Sequence, residues 1–180
     1  MSDSESPAKH AHFDPSSRKK LRSRDAARFP DDTLFHKLGR VICEAECLPR
    51  RELFEAWAVA RRVRRRLHAG RVVDLACGHG LVAWLMLLLD EASPNALAID
   101  ARLPGSAARV GEAMSRAWPR LAGRVTLEQR DIAEISLDAK DVVVATHACG
   151  ALTDVVIERA VSVGASLAVL PCCHDEETCD

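Results

Sequence analysis

The stretch Val72-Val73-Asp74-Leu75-Ala76-Cys77-Gly78-His79-Gly80 carries a short apolar run into two glycines, and Leu81 to Leu89 continues beyond them almost entirely apolar. A β-branched run bounded by a glycine turn reads as a buried strand, and the segment after it reads as a helix. Outward from this point the pattern repeats. Strands are expected at Arg71–Ala76, Ala96–Asp100, Val125–Gln129, Asp141–Thr146 and Ser166–Leu170. Helices are expected near His79–Asp90, Gly105–Trp118 and Leu152–Val163, and the stretch from Asp131 to Lys140 reads as irregular or briefly helical. Alternating β and α units with nearly continuous apolar strands predict an α/β fold, a mainly parallel sheet covered on both faces. Right-handed crossovers make it doubly wound and Rossmann-like.

Upstream of that core, Asp31-Asp32-Thr33 precede Leu34, Leu38, Val41 and Ile42 and predict a capped helix. Pro49 suits the first turn of a second helix reaching about Leu67, with Leu53, Ala56, Trp57, Ala60, Val63 and Leu67 on one face and Gly70 ending the helical region. Arg64 falls near the middle of that apolar stripe. Residues 1–29 lack periodicity, are mildly basic and are expected to form a disordered tail. The expected organisation is thus a tail at 1–29, helices at 30–69 and an α/β core at 70–180.

The 180 residues suffice for one domain, and a formal net charge of −1 gives no overall bias toward nucleic acid. The longest apolar run is too short to cross a bilayer, and the polar start is not a secretory signal. An odd number of cysteines, seven in all, fits reduced thiols in a cytoplasmic protein.

Chemistry concentrates at the strand ends. Gly78 and Gly80 clear side chains from a backbone against which a ligand could lie, with Cys77 beside them and helix amides directed toward it. Asp100 ends the second strand twenty residues after Gly80, a place suited to accepting from ribose hydroxyls. Gly78-x-Gly80-x-x-Ala83 also satisfies the relaxed dinucleotide fingerprint, so a nicotinamide-dependent oxidoreductase is the competing reading. Asp74 lies inside the first strand, where a dinucleotide site usually has an apolar residue. Gln129-Arg130-Asp131-Ile132 closes the third strand with an acid suited to an adenine amino group. Acids ending three successive strands favour S-adenosylmethionine, held by Asp74, Cys77, Gly78, Gly80, Asp100, Asp131 and Ile132.

At these residues, over about 70–175, the chain resembles the class I S-adenosylmethionine-dependent methyltransferases. His147-Ala148-Cys149-Gly150-Ala151-Leu152-Thr153-Asp154 and Pro171-Cys172-Cys173-His174 narrow the resemblance to the domain of the eukaryotic tRNA acceptor-stem 2′-O-methyltransferases and related methyltransferase-like proteins. The resemblance implies the fold, the cofactor and methyl transfer to an unidentified acceptor. It also implies a further helix and two strands after the fifth, which the chain up to Asp180 does not include. The fifth strand is therefore expected to be an exposed edge open to association, and a non-catalytic binding protein of this fold is a further alternative.

Methyl transfer needs alignment of a nucleophile and, for a hydroxyl or amine, removal of its proton. His147 and Cys149, after the fourth strand, are the catalytic candidates, and Cys172, Cys173 and His174 the substrate-pocket candidates. Adjacent cysteines fit zinc spacing poorly, so no metal is expected. Residues 50–71 hold eight arginines, and Arg61, Arg62, Arg65 and Arg66 lie off the apolar stripe as candidate RNA contacts. With aromatic residues at only 4%, platforms for stacking bases are scarce.

Overall fold

In the computed structural model, which describes residues 13–170, β1 (Val72–Leu75) runs between β2 (Ala96–Asp100) and β4 (Val142–Ala145) at the centre of a five-stranded sheet. The order is β3-β2-β1-β4-β5, with β3 at Val125–Gln129 and β5 at Ser166–Val169, and every pairing is parallel. Val72 is in register with both Ala96 and Val142. The strand order reverses between β1 and β4, so the connections that leave their C-terminal ends turn to opposite faces of the sheet and open a crevice of the kind that holds ligands in open α/β sheets.

Side-chain alternation along β1 divides the core. Val72 faces α3 (Leu81–Leu89), together with α1 (Leu34–Ala45), α2 (Arg50–Arg64) and α4 (Ala107–Ala117). Val73 and Leu75 face the opposite cluster, which includes Ile132, Ile135, Val156 and Ala160. The last two belong to α5 (Ala151–Val163), and Ile132 opens a single 3-10 turn where the irregular connection is expected. Eight of the nine residues of α3 are buried, as the all-apolar sequence requires. Among the described residues, β5 pairs only with β4, and no helix is long and apolar enough to cross a membrane.

α1 begins at its expected cap, where the Thr33 hydroxyl accepts from the His36 amide. α2 stops at Arg64, short of Leu67, and that arginine occupies the apolar stripe for a structural reason. Its guanidinium is buried, donates to the Met86 carbonyl and to Ser93 Oγ, and lies 3.0 Å from Asp90. The carbonyl is left by α3, so one side chain joins the C-terminal ends of both helices.

The expected disordered tail needs correction. Residues 1–12 lie outside the described residues, but 13–29 are built onto α1 and α2. Leu21 and Phe29 are fully buried, and Phe13 packs edge-on against Phe29. Gly39 of α1 makes room for Phe29, since a Cβ there would lie 2.3 Å from its ring. Phe13, Leu21 and Phe29 are single anchors eight residues apart, so they create neither a helical nor a strand period. The segment also answers a need of α2. The Arg50 and Arg51 amides, without partners inside the helix, donate to the Lys19 and Ser17 carbonyls at 2.9 and 3.0 Å.

Removing one partner of a buried ion pair strands the other. Arg64→Ala is expected to lower unfolding stability by about 3–5 kcal/mol, read as a lower urea midpoint at unchanged slope.

Candidate active site

The turn after β1 is held in an unusual backbone conformation. Ala76, Gly78 and Gly80 all have positive φ, at 59°, 54° and 72°. Two strand-end interactions hold it there. The Cys77 amide donates to the Ile99 carbonyl at 3.0 Å, and the Gly78 amide donates to the Asp100 carboxylate at 2.9 Å. The second Asp100 oxygen accepts from the Arg102 amide. The two glycines serve different ends. A Cβ on Gly78 would meet nothing within 4 Å, so this residue faces open space. A Cβ on Gly80 would lie 2.7 Å from Leu127 of β3, so Gly80 lets α3 start close against the sheet.

Asp74 lies beneath the turn and is completely buried. One carboxylate oxygen accepts from the Ala83 amide in the first turn of α3, and the other has no hydrogen-bond partner. Burial, which disfavours the charged form, raises its pKa to about 7; the Ala83 bond opposes that shift, and Asp100 and Glu52 add to it. Asp74 therefore organises the turn from below. Burial also pushes the Cys77 thiol far above its ordinary range, with Asp74 and Asp100 adding to the effect, so Cys77 stays neutral.

Above the turn lies a cavity of about 510 Å³. Its floor is Ala76, Cys77, Gly78, His79 and Asp100, His147 closes it after β4, and the start of α2 roofs it with Arg51, Glu52 and Glu55. Arg18 reaches it from the N-terminal segment. Glu52 lies 3.3 Å from His79 Nδ1, whose Nε2 is 3.1 Å from Ser106 Oγ. Glu55 pairs with Arg51 at 3.2 Å and stands 3.8 Å from His147 Nε2, across the cavity from the turn. Asp100, Glu52 and Glu55 put three carboxylates around the same volume as the Arg18 and Arg51 guanidiniums.

Cys77, Gly78, Asp100 and His147 thus converge on the cavity, while other expected residues stand apart. Asp74 and Gly80 support the turn without lining the cavity. Asp131 is exposed and caps its own 3-10 turn by accepting from the Ala133 amide, and Ile132 is buried in the core on the α5 side. Cys149 directs its thiol to the His147 carbonyl, 3.6 Å away, and helps shape that loop. Cys172, Cys173 and His174 lie outside the described residues. Glu52, Glu55, His79 and Arg18 were not anticipated. The signal available was that Glu52 and Glu55, one helical turn apart, are the sole acids in the arginine-rich stretch 50–71.

The sequence profile of a family described as "Methyltransferase domain" matches residues 52–178, which include the roof helix, the turn and the His147 loop. The chain belongs to this methyltransferase-domain family. Solved structures similar to the domain include an O-methyltransferase family protein from Burkholderia thailandensis, with 22% identity and a TM-score of 0.51, covering 89% of this chain and 48% of that one. A SAM-dependent O-methyltransferase from Thermotoga maritima has 18% identity and a TM-score of 0.49, covering 69% of this chain and 45% of that one. The chain thus spans about half the length of these two proteins. No curated protein matches the sequence significantly.

The Asp74 carboxyl holds its proton more tightly when folded than when unfolded. Between about pH 4 and pH 7 the folded state then binds more protons, and its stability falls as pH rises. Asp74→Asn is expected to remove this contribution to the slope, measured by urea unfolding at pH 5, 6, 7 and 8.

Proposed function

We propose that the chain transfers a methyl group from S-adenosylmethionine to a hydroxyl or amine nucleophile presented at His147. The observation that carries this reading is that one cavity is lined both by the Gly78–Asp100 turn and by His147. The residues present suit the cofactor. Gly78 leaves open space over the backbone, Asp100 offers a carboxylate at the end of β2, and the acidic roof matches a sulfonium and an ammonium. Asp100, Gly78, Cys77 and His79 would hold it, with Glu52 and Glu55 above. When bound, S-adenosylmethionine supplies an electrophilic methyl group on a positively charged sulfur.

The protein's own contribution is alignment and proton handling. His147 presents an imidazole to the cavity, and its ring nitrogen can accept the proton of the incoming nucleophile. Glu55, 3.8 Å from Nε2, favours the imidazolium that results and so acts as a positioning residue. The ion pair with Arg51 anchors Glu55 in turn. Cys149 and Thr153 set the loop that carries His147, through bonds to the His147 and Ala148 carbonyls. α2 covers the site and limits access of water to the reacting atoms.

An RNA acceptor is the finer reading. Support comes from the resemblance of the His147–Asp154 segment to tRNA 2′-O-methyltransferases and from clusters of exposed cations that make no ion pair among the described residues.

Titration calorimetry with S-adenosylhomocysteine tests the cofactor site. The wild-type chain is expected to bind at one site, and Asp100→Ala to weaken binding at least tenfold, a loss of about 1.4 kcal/mol or more. A folded wild-type protein with no affinity for the ligand would remove the reading. With cofactor binding in hand, His147→Ala is expected to reduce turnover by about 10²–10⁴-fold with little change in S-adenosylhomocysteine affinity, the range for loss of a general base.

A further inference from the structure

Two clusters of surface cations have different surroundings. Arg61, Arg62, Arg65 and Arg66 are exposed at the C-terminal end of α2. That end has unpaired carbonyls and a negative dipole, which accounts for cations without any ligand. It also leads through Gly70 to the N-terminal end of β1, opposite the cavity. Arg65 is ten residues beyond Glu55, about 15 Å along the helix axis. These arginines are poorly placed to hold a substrate that reaches His147.

The second group is Arg18-Lys19-Lys20-Leu21-Arg22-Ser23-Arg24, with five cations in seven residues and no acid among them. All five are exposed, and among the described residues none makes an ion pair. This segment lies at the opposite end of α2, where the dipole disfavours cations. The Lys19 and Ser17 carbonyls already take the helix amides, so the helix end itself is not the anion site. The backbone is pinned as well. The Leu21 amide donates to the Leu48 carbonyl at 2.9 Å, Lys20 bridges to Pro49, and the Leu21 side chain is fully buried. Arg18, the first of the run, lines the cavity.

We propose that residues 18–24 form a fixed cationic strip that seats the phosphodiester backbone of a nucleic-acid substrate and leads it to the cavity rim at Arg18. The strip rests on the methyl-transfer reading of the cavity and names the chemistry of the acceptor. A row of exposed cations matches a repeated anion better than a single one. In a nucleic acid, every ribose hydroxyl and base nitrogen has a phosphate close by. A nucleophile seated at His147 therefore brings anions to the rim, where Arg18 and Arg51 stand. Neutralising several phosphates releases their counterions, so such binding weakens steeply with salt.

The test uses the full chain with labelled 20-nucleotide RNA and DNA of one sequence, followed by fluorescence anisotropy across salt concentrations. K19Q/K20Q/R22Q leaves the cavity lining intact and is expected to retain wild-type S-adenosylhomocysteine affinity, which reports a folded domain. Its RNA affinity is expected to fall at least tenfold. The slope of log affinity against log salt should become shallower by about 2, at roughly 0.7 for each single-strand phosphate left without its cation. R61Q/R62Q/R65Q/R66Q is expected to stay within threefold of wild type. Equal loss on RNA and DNA would support a strip that reads the backbone alone, and a larger loss on RNA would support one that also senses the ribose. A wild-type chain that binds S-adenosylhomocysteine but no nucleic acid would overturn the strip and leave the cofactor site standing. So would a strip variant with undiminished RNA affinity, or polyglutamate bound as tightly as RNA. Wild-type failure to bind S-adenosylhomocysteine would instead overturn the cofactor reading on which the strip rests.

Discussion

The hydrogen bond from the Gly78 amide to the Asp100 carboxylate joins the ends of two neighbouring parallel strands across the site. It satisfies a backbone donor within a left-handed turn and occupies part of the one carboxylate that β2 brings to the cavity. Without it, the turn between Ala76 and Gly80 would lose the tie that holds its backbone open toward a ligand. The start of α3 depends on the same geometry, because Gly80 must pass close to Leu127 before the helix begins. Asp74 completes the arrangement from below through the Ala83 amide. Two acids thus hold one turn from opposite sides. The upper one remains accessible from the cavity; the lower one is sealed off.

The second half of the site is contributed by chain outside the α/β core. α2 supplies the acidic roof, and the segment before α1 supplies Arg18 and the carbonyls that receive the first amides of α2. The charge pattern is coherent. Asp100, Glu52 and Glu55 line the cavity, and Arg18, another of its lining residues, continues into the cationic run 18–24. One helix serves both zones because its acids, Glu52 and Glu55, occupy one turn, while Arg51 beside them pairs with Glu55.

Much of the fold was legible because strands buried on both faces must be nearly continuous in apolar residues. β2 and β3 have the bounds that their sequences predict, and β1 and β4 differ only at their ends. The glycine turn, Asp100 and His147 were legible for a related reason, since their places follow from strand ends. What stayed hidden depends on contacts between segments distant in sequence. No period marks Phe13, Leu21 and Phe29 as anchors, so the packing of residues 13–29 cannot be read locally. Arg64 in an apolar stripe makes sense once Asp90 and the Met86 carbonyl are beside it. Asp131 shows how a strand-end acid expected to meet a ligand also serves its own turn, where one carboxylate oxygen accepts from the Ala133 amide.

The roof helix is secured at both ends. Arg64 fastens its C-terminus to Asp90 and the end of α3, and the strand-like segment 17–21 fastens its N-terminus. Lifting the helix away as a rigid lid would break a buried charged pair and pull Leu21 out of the core together. Passage into the cavity with the helix seated is then governed by lining side chains such as Arg18, Arg51, Glu55 and His147. Side chains of this kind turn over within nanoseconds, whereas collective movements of whole elements take microseconds to milliseconds. A doorway made of such side chains would open by rotation about their own bonds, at the fast end of protein motion.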